Sequence, residues 1–321
     1  MSNDAYGYLF CHFRETPGSP VGESIHFSLS DGDNPLQWSP LWNGAPVLRS
    51  NLGTTGVRDP LLVRDREGGF HILATDLLVH GGDEAGWPIW RRHGSLSLIV
   101  WHSDDLITWS EPESIQVSEP TAGMTWAPEV THDPETGDFI VFWSSRIFDE
   151  DDTQHEAPSY SRIMYSRTTN FRTFSRAEVM IDAGRDIIDT AIIHHQGKVY
   201  RINKDESDAP DSLKIYQERG SSLFANDFEV VSSRIGYEHF TGLEAPIIIQ
   251  DGERAHWYLF LDQYSANPQG YWALETSDLD SGVWTRVAPD RLKLEDGVKH
   301  GTILRLQRDE WERLRAYVVT E

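Results

Sequence analysis

Apolar residues along this chain come in short runs bounded by Gly, Asp and Pro, the signature of strands joined by tight turns. The stretch "IVWHSDDLITWSEP" (99–112) shows the pattern: a strand, a polar turn at Ser103, Asp104 and Asp105, and a second short strand marked by Trp109. Related stretches begin at Ile25, Ile163, Lys214 and Trp272, and Trp38, Trp109, Phe174, Phe228 and Trp284 close the five copies. They recur at intervals of roughly 55–70 residues, which is the mark of an architecture built from repeated units.

Each copy is preceded by a further hairpin, as in "RDPLLVRDREGGFHILATDL" (58–77) and "EAPIIIQDGERAHWYLFLDQY" (244–264). Together the two hairpins make a four-stranded antiparallel unit, with strands A to D. The N-terminal unit lacks an A strand, and the C-terminus has one to spare, "HGTILRLQ" (300–307). Placing the spare strand beside "YGYLFCHF" completes a fifth unit. Five four-stranded sheets around an axis predict an all-β fold, a five-bladed β-propeller of residues 1–321 closed by its C-terminal strand. A β-sandwich is the alternative, and the regular fours argue against it. The short A–B turns then share one face and the long B–C connections the other. Long loops on one face of a rigid scaffold are where binding usually lives.

Length and composition sharpen this picture. The 321 residues can bury a substantial core, and 12 Trp within 11% aromatics suit packed sheets or a carbohydrate-facing surface. Lys plus Arg is 28 against 51 Asp plus Glu, a formal charge of −23 that repels nucleic acid without penalising a neutral sugar. The single Cys11 cannot form an intramolecular disulfide and fits a reducing compartment. The start, "MSNDAYGYLF", has no basic region followed by an apolar one, and no apolar run approaches the roughly 20 residues of a membrane span. A cytoplasmic protein is expected, although a secreted protein trimmed of its leader would look the same.

The A strands begin with Asp59, Glu129, Asp189, Glu244 and His300. Inner strands should be apolar, and buried charge is costly unless paired or used. Five ionisable groups at what read as equivalent positions of five blades therefore point to one functional mouth. Crowded carboxylates spread their pKa values, giving a raised acid and a low base, as glycoside hydrolysis needs.

These motifs, Asp-Pro, Trp-Ala-Pro-Glu, Ile-Asp, Glu-x-Pro and His-Gly in that order, resemble glycoside hydrolase family 43 across Tyr6 to about Leu314. The resemblance implies a five-bladed propeller that inverts the anomeric centre and releases arabinofuranose or xylose from plant polysaccharides. It implies Asp59 as general base, Glu244 as general acid, and Asp189 as the carboxylate that orients the acid and raises its pKa. Trp126 would lie near the sugar, Glu129 would be structural, and His300 would stand near the axis, beside a calcium ion held largely by water. No cofactor is otherwise implied. Ala245 stands where Gly is common and Thr190 where Pro is common, which leaves the sugar open.

The expected activity is that of an exo-acting α-L-arabinofuranosidase on an oligosaccharide, with β-xylosidase and exo-β-galactosidase as alternatives. A retaining β-fructofuranosidase also carries "RDP", but after an earlier Asn-Asp-Pro strand that this chain lacks. A non-catalytic sugar-binding propeller would not need the three acids in order. Asp65, Asp76, Asp104, Asp105, Asp133 and Asp262 read as turn, strand-end or loop residues, and "FDEDDTQHE" (148–156) as a solvated loop. Trp87 and Trp90 either stack on a sugar or pin their own loop. His194 and His195 alternate across a strand, cannot share a metal, and read as structural.

Overall fold

The computed structural model describes residues 4–15, 23–82 and 85–317, and these form five four-stranded antiparallel sheets. Blade 1 orders Lys299–Gln307, Ala5–Arg14, Ser24–Asp31 and Asn34–Pro40 from the inside out. Blade 2 follows with Val57–Arg64, Phe70–Asp76, Ser97–Ser103 and Glu113–Gln116, and blade 3 with Trp126–His132, Phe139–Arg146, Ser161–Thr168 and Glu178–Ile181. Blade 4 is Ile187–His195, Lys198–Asp205, Ile215–Gly220 and Glu229–Ser232; blade 5 is Leu243–Gln250, Trp257–Gln263, Gly270–Thr276 and Thr285–Arg286. Each innermost strand touches the next, and Lys299–Gln307 returns to Val57–Arg64, so the sheets close a five-bladed propeller.

The apolar runs are nearly continuous because every blade is covered on both faces. Successive side chains of one strand therefore serve two cores. Leu62 packs with Leu9, Phe27 and Ile72 between blades 1 and 2, whereas its neighbour Leu61 packs with Leu98, Val141 and Trp143 between blades 2 and 3. The other three interfaces repeat the scheme, for example with Phe10, Trp38 and Phe260 between blades 5 and 1.

The expected ring closure is present: Tyr8 pairs with Arg305, Leu9 with Leu304 and Cys11 with Thr302. Beyond it the chain forms a helix, α1 (Arg308–Ala316), that the strand pattern did not reveal. Its signals were short but present. Gln307 and Glu310 form a capping box, and Trp311 and Leu314, three apart, put one apolar face into the blade 1–2 core. Trp311 Nε1 donates to Ser30 O at 3.1 Å. Gly7, at φ 74°, lies so close beneath the indole that a Cβ there would sit 2.2 Å from it.

Among the described residues, the B–C connections of blades 3, 4 and 5 leave their sheets at the end where the inner strands begin. In blade 2 this connection contains the helix Trp87–His93, with Trp90 buried against Leu77, Met124 and Trp126. The stretch 148–156 is solvated in part, but Phe148 is buried and stacks on His155.

Candidate active site

The inner strands do not run straight into the mouth. Each of blades 2 to 5 carries one extra residue near the start of its A strand, seen as register shifts between Arg58 and Leu61, Trp126 and Glu129, Ile188 and Ala191, and Glu244 and Ile247. Within these bulges Asp59, Ala127, Asp189 and Ala245 adopt left-handed φ values of 48°, 52°, 49° and 54°. The Gly that is common in place of Ala245 suits this backbone, which L-residues adopt at some cost.

This corrects one expectation. Asp59, Glu129, Asp189, Glu244 and His300 are not all equivalent: Asp59, Asp189 and His300 fall within the register shift of their strands, and Glu129 and Glu244 do not. Glu244 matches Arg58, Trp126 and Ile188, one residue before the bulge, while Asp59 and Asp189 occupy the bulge itself. Glu129 lies two residues beyond Ala127 and falls deeper along the axis. The reason is steric: a bulge breaks the simple alternation of side chains, so strand starts cannot be compared by counting alone.

A bulge also takes a backbone amide out of the ladder, and here the neighbouring blade supplies its partner. Ala127 N–H donates to Thr75 Oγ1 (2.8 Å), Asp189 N–H to Ser144 Oγ (3.1 Å), Ala245 N–H to Asp189 Oδ2 (3.1 Å) and Gly301 N–H to the Tyr271 hydroxyl (3.3 Å). Gly301 has no space for a side chain, because a Cβ would stand 2.1 Å from Cys11 O and 2.7 Å from His12 Cα. Gly301→Ala should therefore cost about 1–3 kcal/mol or more, read as a lower denaturant midpoint. An unchanged midpoint would contradict this packing.

The bulges bring Asp59, Asp189 and Glu244 to one cavity of about 380 Å³, walled by Trp87, Trp126 and His300 among others. A larger hollow of about 930 Å³ at the other end of the axis, by Tyr8, Ile249 and Arg305, holds none of the motif acids. Thr75 Oγ1 donates to Asp59 Oδ2 (2.9 Å), and His300 Nδ1 stands 3.4 Å from Asp59 Oδ1. Burial alone would hold the His300 imidazole neutral, but Asp59, Asp189, Glu129 and Glu244 raise its pKa. Burial lifts Asp189 to about 6 against the pull of His300 and Lys204, helped by Glu244 and Asp59. Burial likewise raises Glu129 to about 7, against His300. Glu244 goes the other way: burial would raise it, but Lys204, Lys299 and His300 hold it below the usual carboxyl range.

Several of these charged neighbours escaped the sequence reading. Lys204 Nζ lies 3.1 Å from Glu244 Oε2, Lys299 Nζ 3.0 Å from the fully buried Asp262, and Arg58 pairs with Glu15 and Glu23 at 2.7 Å each. The available signal was a Lys inside the apolar strand "KVYRINKD", since a buried ammonium needs a partner. The two tryptophans divide the roles offered for them. Trp90 is 8% exposed and pins the loop, while Trp87 is 44% exposed, edge-on to Trp126, and faces the cavity. His194 bonds Thr131 and His195 packs edge-on to Trp257, both structural. Asp65, Asp105 and Asp133 each accept turn amides, as read from the sequence.

Residues 4–312 match the sequence profile of a family described as a probable glycosyl hydrolase domain, related to glycoside hydrolase family 43. The chain belongs to this family. Enzymes of family 43 generally need no cofactor. An α-L-arabinofuranosidase of Bifidobacterium longum subsp. longum is 30% identical to this chain over 204 residues, 60% of the chain and 19% of that protein. The match thus spans about a fifth of the relative's length. The fold resembles a family 43 β-1,3-galactosidase solved with galactodeoxynojirimycin, with TM-score 0.62 and 13% identity over 92% of this chain and 94% of that one. It also resembles a thermostable family 43 glycoside hydrolase, with TM-score 0.53 and 16% identity over 79% and 81% of the two chains.

Proposed function

We propose that this chain is an exo-acting, inverting α-L-arabinofuranosidase in which Asp59 is the general base, Glu244 the general acid and Asp189 the carboxyl that positions the acid. The observation that carries the reading is the gathering of these three carboxyls in one cavity, with Asp189 Oδ2 accepting the Ala245 amide next to Glu244. Asp59 is held by Thr75 and flanked by His300, which leaves it suited to take a proton from a water placed beneath the sugar. The water attacks the anomeric carbon as Glu244 protonates the departing oxygen, and no covalent intermediate forms. Glu244 is held low in the free protein by Lys204, Lys299 and His300, and a bound sugar that expels water from around it adds desolvation, which acts against those cations in the direction an acid needs. Residues 1–321 are taken to act as one catalytic domain on a terminal sugar of an oligosaccharide.

The raised pKa of His300 supports reading its imidazolium as the axial cation. A calcium ion held largely by water beside His300 would draw on the carboxyl oxygens of Asp59, Asp189 and Glu129 that surround the ring, the donor type calcium takes, and no step is routed through it. The arabinofuranosyl preference rests on the Bifidobacterium relative, and the cavity size suits a single terminal sugar.

The test is a panel of aryl α-L-arabinofuranoside, β-xyloside and β-galactoside, with the released sugar followed by NMR. Arabinofuranoside should be hydrolysed best, and its first product should be the β anomer, with no methyl glycoside formed in added methanol. A different best substrate would replace the sugar assignment. The α anomer appearing first would overturn Asp59 as base.

A further inference from the structure

We propose that Lys204 is a positioning residue for the reaction, holding the Glu244 carboxyl at the cavity and tying it through Glu206 and Arg91 to the helix that carries Trp87. This rests on the reading of Glu244 as the acid.

One ladder rung precedes each bulge. In the B strands the partners of Arg58, Trp126, Ile188 and Glu244 are Thr75, Ser144, Lys204 and Asp262. In blades 2 and 3 the hydroxyl at this rung accepts the bulge amide of the next blade, Thr75 from Ala127 and Ser144 from Asp189. Blade 4 breaks the rule, because an ammonium is a donor only and cannot accept an amide. The Ala245 amide turns instead to Asp189 Oδ2. Lys204 is thereby released to reach across to Glu244, and Asp189 and Lys204 hold the same strand start from two sides.

Lys204 is only 3% exposed, so its charge must be matched. Glu244 Oε2 lies at 3.1 Å, Glu206 Oε2 at 2.8 Å, and the Tyr264 ring centroid at 5.1 Å. Glu206 in turn receives Arg91 Nη2 at 2.7 Å, and Arg91 belongs to the helix Trp87–His93. One line of ion pairs thus joins the acid, on blade 5, to the aromatic wall contributed by blade 2.

A residue that merely stabilised the fold would leave the pH profile in place. The charged and titratable groups facing Glu244 are Lys204, Lys299, His300, Asp189, Asp262 and Tyr264. Among the cations, Lys204 is the largest influence holding Glu244 down. Removing it must raise the pKa of the acid, and the alkaline limb of kcat/KM follows that pKa upward.

Lys204→Thr places at this rung the hydroxyl side chain of Thr75 and Ser144, so folding should be kept, as checked by thermal melting. Its alkaline limb should move up by about one unit or more, and its kcat should fall more on a glycoside with a poor leaving group than on an activated one. Glu206→Gln, which leaves Lys204 to Glu244 alone, should move the limb the opposite way, and it serves also if Lys204→Thr does not fold. Lys204→Arg should restore most of the wild-type profile. Wild-type limbs in both Lys204→Thr and Glu206→Gln would overturn the role of Lys204 while leaving that of Glu244 intact. Equal losses of Glu244→Ala on activated and unactivated substrates would instead remove the reading of Glu244 on which this rests.

Discussion

Glu244→Ala is expected to lower turnover of an arabino-oligosaccharide by roughly 10²–10⁴-fold, the range that general acid–base catalysis supplies. An activated aryl arabinofuranoside should lose far less, because its departing phenolate needs no proton. The carboxyl is placed for this by the bulge at Ala245, by the Asp189 contact to the adjacent amide, and by Lys204 at 3.1 Å. Its pH dependence has a defined sign. Glu244 is held low in the free protein, so activity requiring its protonated form should decline as pH rises through the pKa of the sugar-bound state. Equal losses on both substrates would assign Glu244 to binding or folding.

The second large effect is structural. Deleting residues from Lys299 onward should abolish the cooperative thermal transition. Lys299–Gln307 is the inner strand of blade 1, and it contacts the inner strands of blades 2 and 5. Its loss leaves Ala5–Arg14 as an unpaired edge and removes Trp311 and Leu314 from the blade 1–2 core. The truncation also takes away His300 and Lys299 from the cavity. Since domains are stable by only about 5–15 kcal/mol, losing a central strand and a buried indole exceeds what the remainder can supply. A truncated protein that melts like the full chain would show that the ring does not depend on this closure.

Apolar runs cut by Gly, Asp and Pro sufficed to place the hairpins, and the missing A strand sufficed to place the C-terminus beside Tyr8. These features were legible because strand length, turn chemistry and the two-residue alternation are local properties written directly into consecutive residues. The same holds for the turn roles of Asp65, Asp105 and Asp133. The helix Arg308–Ala316 was missed because its apolar face is only Trp311 and Leu314, too short a stripe to stand out from strand-like neighbours.

The chain alone determined that five units close a ring and that Asp59, Asp189 and Glu244 belong to its inner strands. Tertiary structure decided the rest: which level each acid occupies, that Trp90 is buried and Trp87 faces the cavity, and that Lys204 stands against Glu244. The bulges set these levels, and they depend on amides capped by the preceding blade, Ala127 by Thr75 and Ala245 by Asp189. Those partners lie more than 50 residues apart in sequence. The protonation of each carboxyl depends in the same way on burial and on charges that only the closed ring brings within reach of one another.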